Sequence, residues 1–183
     1  GRFSAVYRAI DPSNGAEIPE DVYKVDTERH VESEIRWALF LAEKGMPTGI
    51  PQVVEAGELL DGRAWIRLRG INAGMHSSTG RFLKAGVRGP DIYDVWIKAA
   101  NFLQSMHEAG VSHCDIKPGN ILFNSEKNVA IIDLASAVLF GETARFKTPG
   151  FFVPGEEIKV TPKFDVFGFV MMIAHTVGVE MWQ

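Results

Sequence analysis

Cysteine is almost absent from this sequence. Cys114 is the only one in 183 residues, so no internal disulfide can form. A reducing, cytoplasmic setting is the expectation that fits. Basic clusters are lacking as well. The chain has 19 Lys and Arg against 23 Asp and Glu, a net charge of −4. A binder that works by neutralising nucleic-acid phosphates is not expected. There is no secretory-signal pattern and no internal repeat. The longest apolar stretch, Phe164–Trp182, contains Asp165 and His175 and is interrupted by Gly168 and Gly178. It reads as a buried helix and not as a membrane span. The first residues fall inside a glycine-containing turn, which points to further residues upstream.

What remains is a chain of ordinary hydrophobic content, 46%, and of a length that makes one domain with a real core. Phe3–Ile10 alternates as a strand does, and Asp11–Gly15 is turn chemistry, so a hairpin returning over Glu17–Val25 is expected. Thr27–Lys44 turns helical, with Val31, Ile35 and Leu39 as its apolar stripe. Two short strands, Val53–Glu58 and Ala64–Leu68, are expected about an Asp61-Gly62 turn. Ile71–Gly89 reads as a connector. A long helix over Asp91–Glu108 carries Val95, Ala99, Phe102 and Met106, with Gly110 placed to cap it. Short strands at Ile121–Phe123 and Val129–Ile132 and a final helix near Phe164–Thr176 complete the pattern. A strand-rich part is followed by a helical part, an α+β layout in two lobes that join near Arg69–Gly74.

The chemistry concentrates in His113-Cys-Asp115-Ile-Lys117-Pro-Gly-Asn120 and in Asp133 at the end of an apolar run. Phosphoryl transfer from a nucleotide needs this set. A carboxylate must take the proton of the acceptor hydroxyl, a cation must offset charge on the moving group, and two oxygen ligands must hold Mg²⁺. Asp115, Lys117, and Asn120 with Asp133 suit those roles. Any one of them alone would read as a solvated loop residue. Four correct types at these offsets, between a helix and a strand, do not read as coincidence.

These segments resemble the protein kinase superfamily, eukaryotic-like Ser/Thr kinases in particular. His113–Asn120 is similar to the H-R-D-x-K-x-x-N catalytic loop, and Asp133-Leu-Ala135 to the D-F-G magnesium motif. Thr148–Pro154 resembles the end of an activation segment, and Asp165-Val-Phe the start of the helix beneath the catalytic loop. Gly1-Arg-Phe-Ser4-Ala-Val6-Tyr looks like the second half of a glycine-rich phosphate loop, with Ser4 where the last glycine would stand. Asp21-Val-Tyr-Lys24 is similar to V-A-I-K.

The resemblance implies a two-lobed kinase fold, with a small antiparallel N-lobe plus one helix over residues 1–69. A reduced, mainly helical C-lobe would follow over 70–183. It implies ATP and Mg²⁺ as cofactors and a protein substrate, with no nucleic acid and no membrane insertion. Lys24 would grip the phosphates, paired with Glu34 or, as the alternative, Glu32. Gly1, Phe3 and Ser4 would approach the phosphates. Val6, Val22, Leu68 and Leu122 would enclose the adenine. Compact kinases of this kind occur among bacterial effectors delivered into host cells, so a regulatory or host partner is also implied.

Several positions depart from the pattern. Cys114 replaces the H-R-D arginine, which argues against control by activation-loop phosphorylation and is expected as a small buried side chain. Ala135 replaces the D-F-G glycine and restricts torsional freedom there. A-P-E reads Val153-Pro-Gly, with Glu156 one place late. Few residues follow the last helix, as in a truncated chain or a naturally minimal one. Two other functions stay open. One is a small-molecule phosphotransferase of the aminoglycoside or choline type, which Pro118-Gly-Asn120 and Ile132-Asp133 also resemble. The other is a pseudokinase that acts as a binding module.

Overall fold

A computed structural model describes residues 4–46, 49–69, 76–77, 90–123, 128–144, 148, 150 and 159–176. The expectations for Gly1, Phe3, Val153–Glu156 and most of Ile71–Gly89 lie outside the described residues. The first hairpin joins β1 (Ala5–Ile10) to β2 (Glu17–Thr27). Asp11 builds the turn by accepting the backbone N–H of Ser13 at 2.8 Å and that of Gly15 through its carbonyl. After α1 (Glu28–Glu43) come β3 (Gln52–Glu58) and β4 (Arg63–Arg69). The four strands form one antiparallel sheet in the order β1-β2-β4-β3.

The helix α1 ends in a Schellman motif. Gly45 adopts a left-handed φ of 69°, its N–H bonds Ala42 O, and the Met46 N–H bonds Leu41 O. Its buried face runs through His30, Val31, Glu34, Trp37, Ala38 and Leu41. This corrects the expected stripe, because Leu39 is 53% exposed. Steps of four advance about 40° around the helix each time, so a strict i, i+4, i+8 row walks off the buried face.

Beyond the sheet lie β5 (His76–Ser77), α2 (Pro90–Glu108) and β6 (Val111–Ser112). Then come a 3₁₀ turn (Pro118–Asn120), β7 (Ile121–Phe123) and β8 (Val129–Ile131). A second 3₁₀ turn (Leu134–Ser136), β9 (Val138–Leu139) and α3 (Pro162–Thr176) complete the described chain. One small sheet has the order β5-β7-β8, and β6 pairs with β9. The expected α2 stripe is buried at all four positions, and Gly110 sits at φ 78° just past the helix. The main core joins Trp37, Ala38 and Leu41 of α1 to Ala99, Phe102, Leu103 and Met106 of α2, with Ile116, Ile131 and Leu134 between them. The segments on either side of His113–Asn120 are therefore gripped by both helices. Among the described residues, no helix is long and apolar enough to cross a membrane.

Candidate active site

Lys24 lies on the inner face of β2, under α1. Alternation puts Val22 and Lys24 on that face, where Val6 of β1 and Ile66 and Leu68 of β4 stand opposite them. The Lys24 Nζ donates to Glu34 Oε2 at 2.6 Å and to Asp133 Oδ1 at 2.8 Å. Glu34 is buried on α1, whereas Glu32 is exposed, so the helix turns Glu34 toward the lysine. Burial alone would discharge the ammonium, but the two carboxylates outweigh it and hold Lys24 protonated, with its pKa raised. Asp133 occupies a left-handed conformation, φ 67°, at the end of β8. Burial acts to raise its pKa, and Lys24 outweighs that to leave it below the ordinary value of 3.8.

Residues 113–120 are built around two buried side chains. His113 is fully buried; its Nε2 lies 3.0 Å from the Ile132 carbonyl, which can only accept. That assigns the proton to Nε2 and leaves Nδ1 to accept the Asp115 N–H at 3.3 Å. Asp165, in the first turn of α3, is the second. Its Oδ2 accepts the His113 N–H at 2.8 Å and His107 Nε2 at 2.9 Å, and its Oδ1 accepts the Cys114 N–H at 2.8 Å. Two consecutive amides can point at one carboxylate only if the chain turns sharply, and Cys114 does so at φ 64°. Burial would raise the Asp165 pKa, but these three donors outweigh it and lower it. The Cys114 thiol is 4% exposed, and burial beside Asp165 pushes it up to about 12.

This clamp presents Asp115, Lys117 and Asn120 together. Lys117 Nζ bonds Asp115 Oδ2 at 2.6 Å. Asn120 Nδ2 bonds the Asp115 carbonyl at 2.8 Å and its Oδ2 at 3.1 Å. The Thr148 hydroxyl donates a short hydrogen bond to Asp115 Oδ1 and accepts one from Lys117 Nζ at 3.2 Å. An aliphatic hydroxyl thus already sits between the candidate base and the candidate cation.

The residues present fit a magnesium ion. Ile132 N–H bonds the Asn120 carbonyl at 3.0 Å, which places Asn120 beside the segment that leads from β8 to Asp133. Asn120 spends its amide N–H₂ on Asp115, so its Oδ1 faces away from that carboxylate. The Asp133 side chain is 36% exposed and gives only Oδ1 to Lys24 among the described residues. Two hard oxygens of this kind suit Mg²⁺, which keeps waters and takes its other ligands from phosphates. Among the described residues, no cluster of three or more His, Cys, Asp and Glu forms a closed metal cage.

Of the residues expected to enclose a nucleotide, Val22 is half-buried and Leu122 is buried. Leu68 is 3% exposed and packs with Val31, Ala64 and Ile66 beneath α1. Val6 and Ser4 are exposed at the edge of the sheet.

The protein kinase domain family model matches residues 78–183. The chain belongs to the protein kinase family. It is 27% identical over 179 residues to the serine/threonine-protein kinase PknK of Mycobacterium tuberculosis, covering 91% of this chain and 16% of that protein. It is 30% identical over 145 residues to the probable serine/threonine-protein kinase CE0033 of Corynebacterium efficiens, covering 75% of this chain and 21% of that one. The chain therefore spans about a fifth or less of these relatives' lengths. Sequence reasoning about this kinase-family chain missed the Thr148 contact with Asp115, although Thr148 itself was noted in the activation-segment pattern. It placed the helix opening at Asp165 beneath His113–Asn120 but did not assign Asp165 the amides that it holds. The available signal was an acidic residue opening an otherwise apolar helix, a placement that requires a partner.

Proposed function

We propose that the chain is an ATP-dependent Ser/Thr protein kinase, with residues 1–69 and 70–183 as the two lobes of one catalytic domain. One observation carries the reading. Glu34, Lys24 and Asp133 form a continuous ion-paired row, and Lys117, Asp115 and Asn120 form a second, joined to the first through the Asn120–Ile132 backbone bond. The two rows hold every charged group that phosphoryl transfer needs.

In this reading Asp115 accepts the proton of a substrate Ser or Thr hydroxyl, approached as the Thr148 hydroxyl approaches it now. Lys117 offsets negative charge beside that hydroxyl. Lys24, fixed by Glu34, binds the α- and β-phosphates, and Val22, Leu68 and Leu122 line the adenine side, with Val6 and Ser4 at the mouth. Asn120 and Asp133 would hold Mg²⁺, and Mg–ATP would supply the γ-phosphoryl group, its bond to the ADP oxygen breaking as the substrate oxygen bonds phosphorus. The buried Asp165 clamp keeps Asp115 oriented, which limits reorganisation during transfer.

The test is incubation with γ-labelled ATP and Mg²⁺ against a protein panel and, separately, an aminoglycoside panel. Label on Ser or Thr of proteins, lost in Asp115→Ala, is the expected result. Label on aminoglycosides alone, or full transfer by Asp115→Ala, would overturn it.

A further inference from the structure

Ser33 precedes Glu34 on α1 and faces the turn that follows Asp133. Its Oγ donates to the Ala135 carbonyl at 3.0 Å. A serine within a helix commonly bonds the carbonyl four residues back on its own helix. Here the hydroxyl reaches across to another element. That element is the 3₁₀ turn Leu134–Ser136, closed by the Ala137 N–H bonding Leu134 O at 3.0 Å. Leu134 is buried in the core beside Trp37 and Leu41 of α1. Asp133, just before the turn, holds a left-handed φ of 67°, a conformation costly for a non-glycine residue unless its surroundings fix it.

Consecutive residues of α1 thus hold the Asp133–Ala135 segment from two sides. Glu34 acts through Lys24 on the Asp133 carboxylate, and Ser33 acts directly on the backbone two residues on. We propose that Ser33 is a positioning residue for magnesium–nucleotide binding, tethering the turn at Ala135 so that Asp133 keeps the conformation that presents its second carboxylate oxygen. This rests on the reading of Asp133 as a metal ligand. If the tether is lost, the turn holds its competent form only part of the time, and apparent affinity falls by that fraction. A cleft of about 350 Å³ opens beside the bond, between α1 and residues 135–138. Water can therefore take over the serine's role in part, which keeps the effect modest.

The test uses Ser33→Ala, Ser33→Thr and Asp133→Asn in the whole chain. Alanine has the higher helix propensity, so a loss in Ser33→Ala cannot come from a weakened α1. Equilibrium binding of ATP is measured with Mg²⁺ and with EDTA. Ser33→Ala is expected to weaken binding roughly 2- to 10-fold in Mg²⁺ and to leave it unchanged in EDTA. Ser33→Thr, which keeps the hydroxyl, is expected to restore it. Without any nucleotide, the Ala137 amide should exchange hydrogen faster in Ser33→Ala than in wild type or Ser33→Thr. An Mg²⁺-specific loss in Asp133→Asn but none in Ser33→Ala sinks the Ser33 inference and spares the metal-site reading. Equal weakening in Mg²⁺ and EDTA also sinks it, as a general structural effect. No Mg²⁺-specific loss in Asp133→Asn overturns the metal-site reading, and the Ser33 inference falls with it.

Discussion

Replacing Asp165 should cost more than any other single change in the catalytic-loop support. Its side chain has no exposure and accepts three hydrogen bonds. In Asp165→Ala the His113 and Cys114 amides lose their acceptor in a buried setting, at about 1–3 kcal/mol each. His107 is partly exposed and can turn to water, so it adds little. The total is about 2–6 kcal/mol, a large share of the 5–15 kcal/mol that holds a typical domain together. Asp165→Asn keeps one acceptor but sets an N–H₂ group against a remaining donor, for about 1–3 kcal/mol. Urea denaturation followed by tryptophan fluorescence reads both variants as shifts in midpoint at constant slope. The pH profile gives a second check. Because the folded Asp165 pKa lies below the ordinary 3.8, its contribution is complete above that value. It is lost as pH falls through the lower folded value, so the Asn variant should show a flatter acid limb than wild type. A midpoint change equivalent to under about 0.5 kcal/mol in Asp165→Ala would refute the clamp.

Lys24→Met strands Glu34 in a buried site and should destabilise by about 3–5 kcal/mol, with part recovered in Lys24→Met/Glu34→Gln; calorimetry of the single and double variants checks the order. Nucleotide-dependent thermal stabilisation should vanish in both. The native Cys114 thiol, buried and with its pKa pushed up to about 12, should resist iodoacetamide at pH 8 and react once urea unfolds the chain; rapid native labelling by mass spectrometry would contradict its placement. Gly49→Ala should destabilise by about 1–3 kcal/mol in denaturant melts, because an added Cβ would meet the Phe102 ring and the Val129 carbonyl at 3.1 Å at a φ of 148°.

Much of the fold was legible because local signals agreed. The Asp11 turn, the Asp61-Gly62 turn and the α2 stripe each follow from residue type and spacing alone. The core face of α1 was not, since its inner side carries His30 and Glu34 beside the apolar residues, and a purely hydrophobic reading chose Leu39 instead. The candidate site was readable where the chain holds its groups close together, from Asp115 to Asn120. Long-range partners were harder. Asp165 lies about fifty residues from the amides it holds, and Ser33 lies about a hundred from Ala135. No local period encodes such pairs. The α1 carboxylate illustrates the difference. Glu32 and Glu34 are both glutamates on one helix; the family resemblance put Glu34 first, and its burial beside Lys24 separates it from the exposed Glu32.

Phosphoryl transfer to a Ser or Thr hydroxyl with Asp115 as base is the proposed reaction. Mass spectrometry of the chain and an added protein panel, after incubation with Mg–ATP, reads that transfer at the acceptor residue. Phosphate on Ser or Thr, absent when Asp115→Asn replaces the wild type, is the expected result. Phosphate that persists in Asp115→Asn, or none in a wild-type chain that binds Mg–ATP, would contradict it.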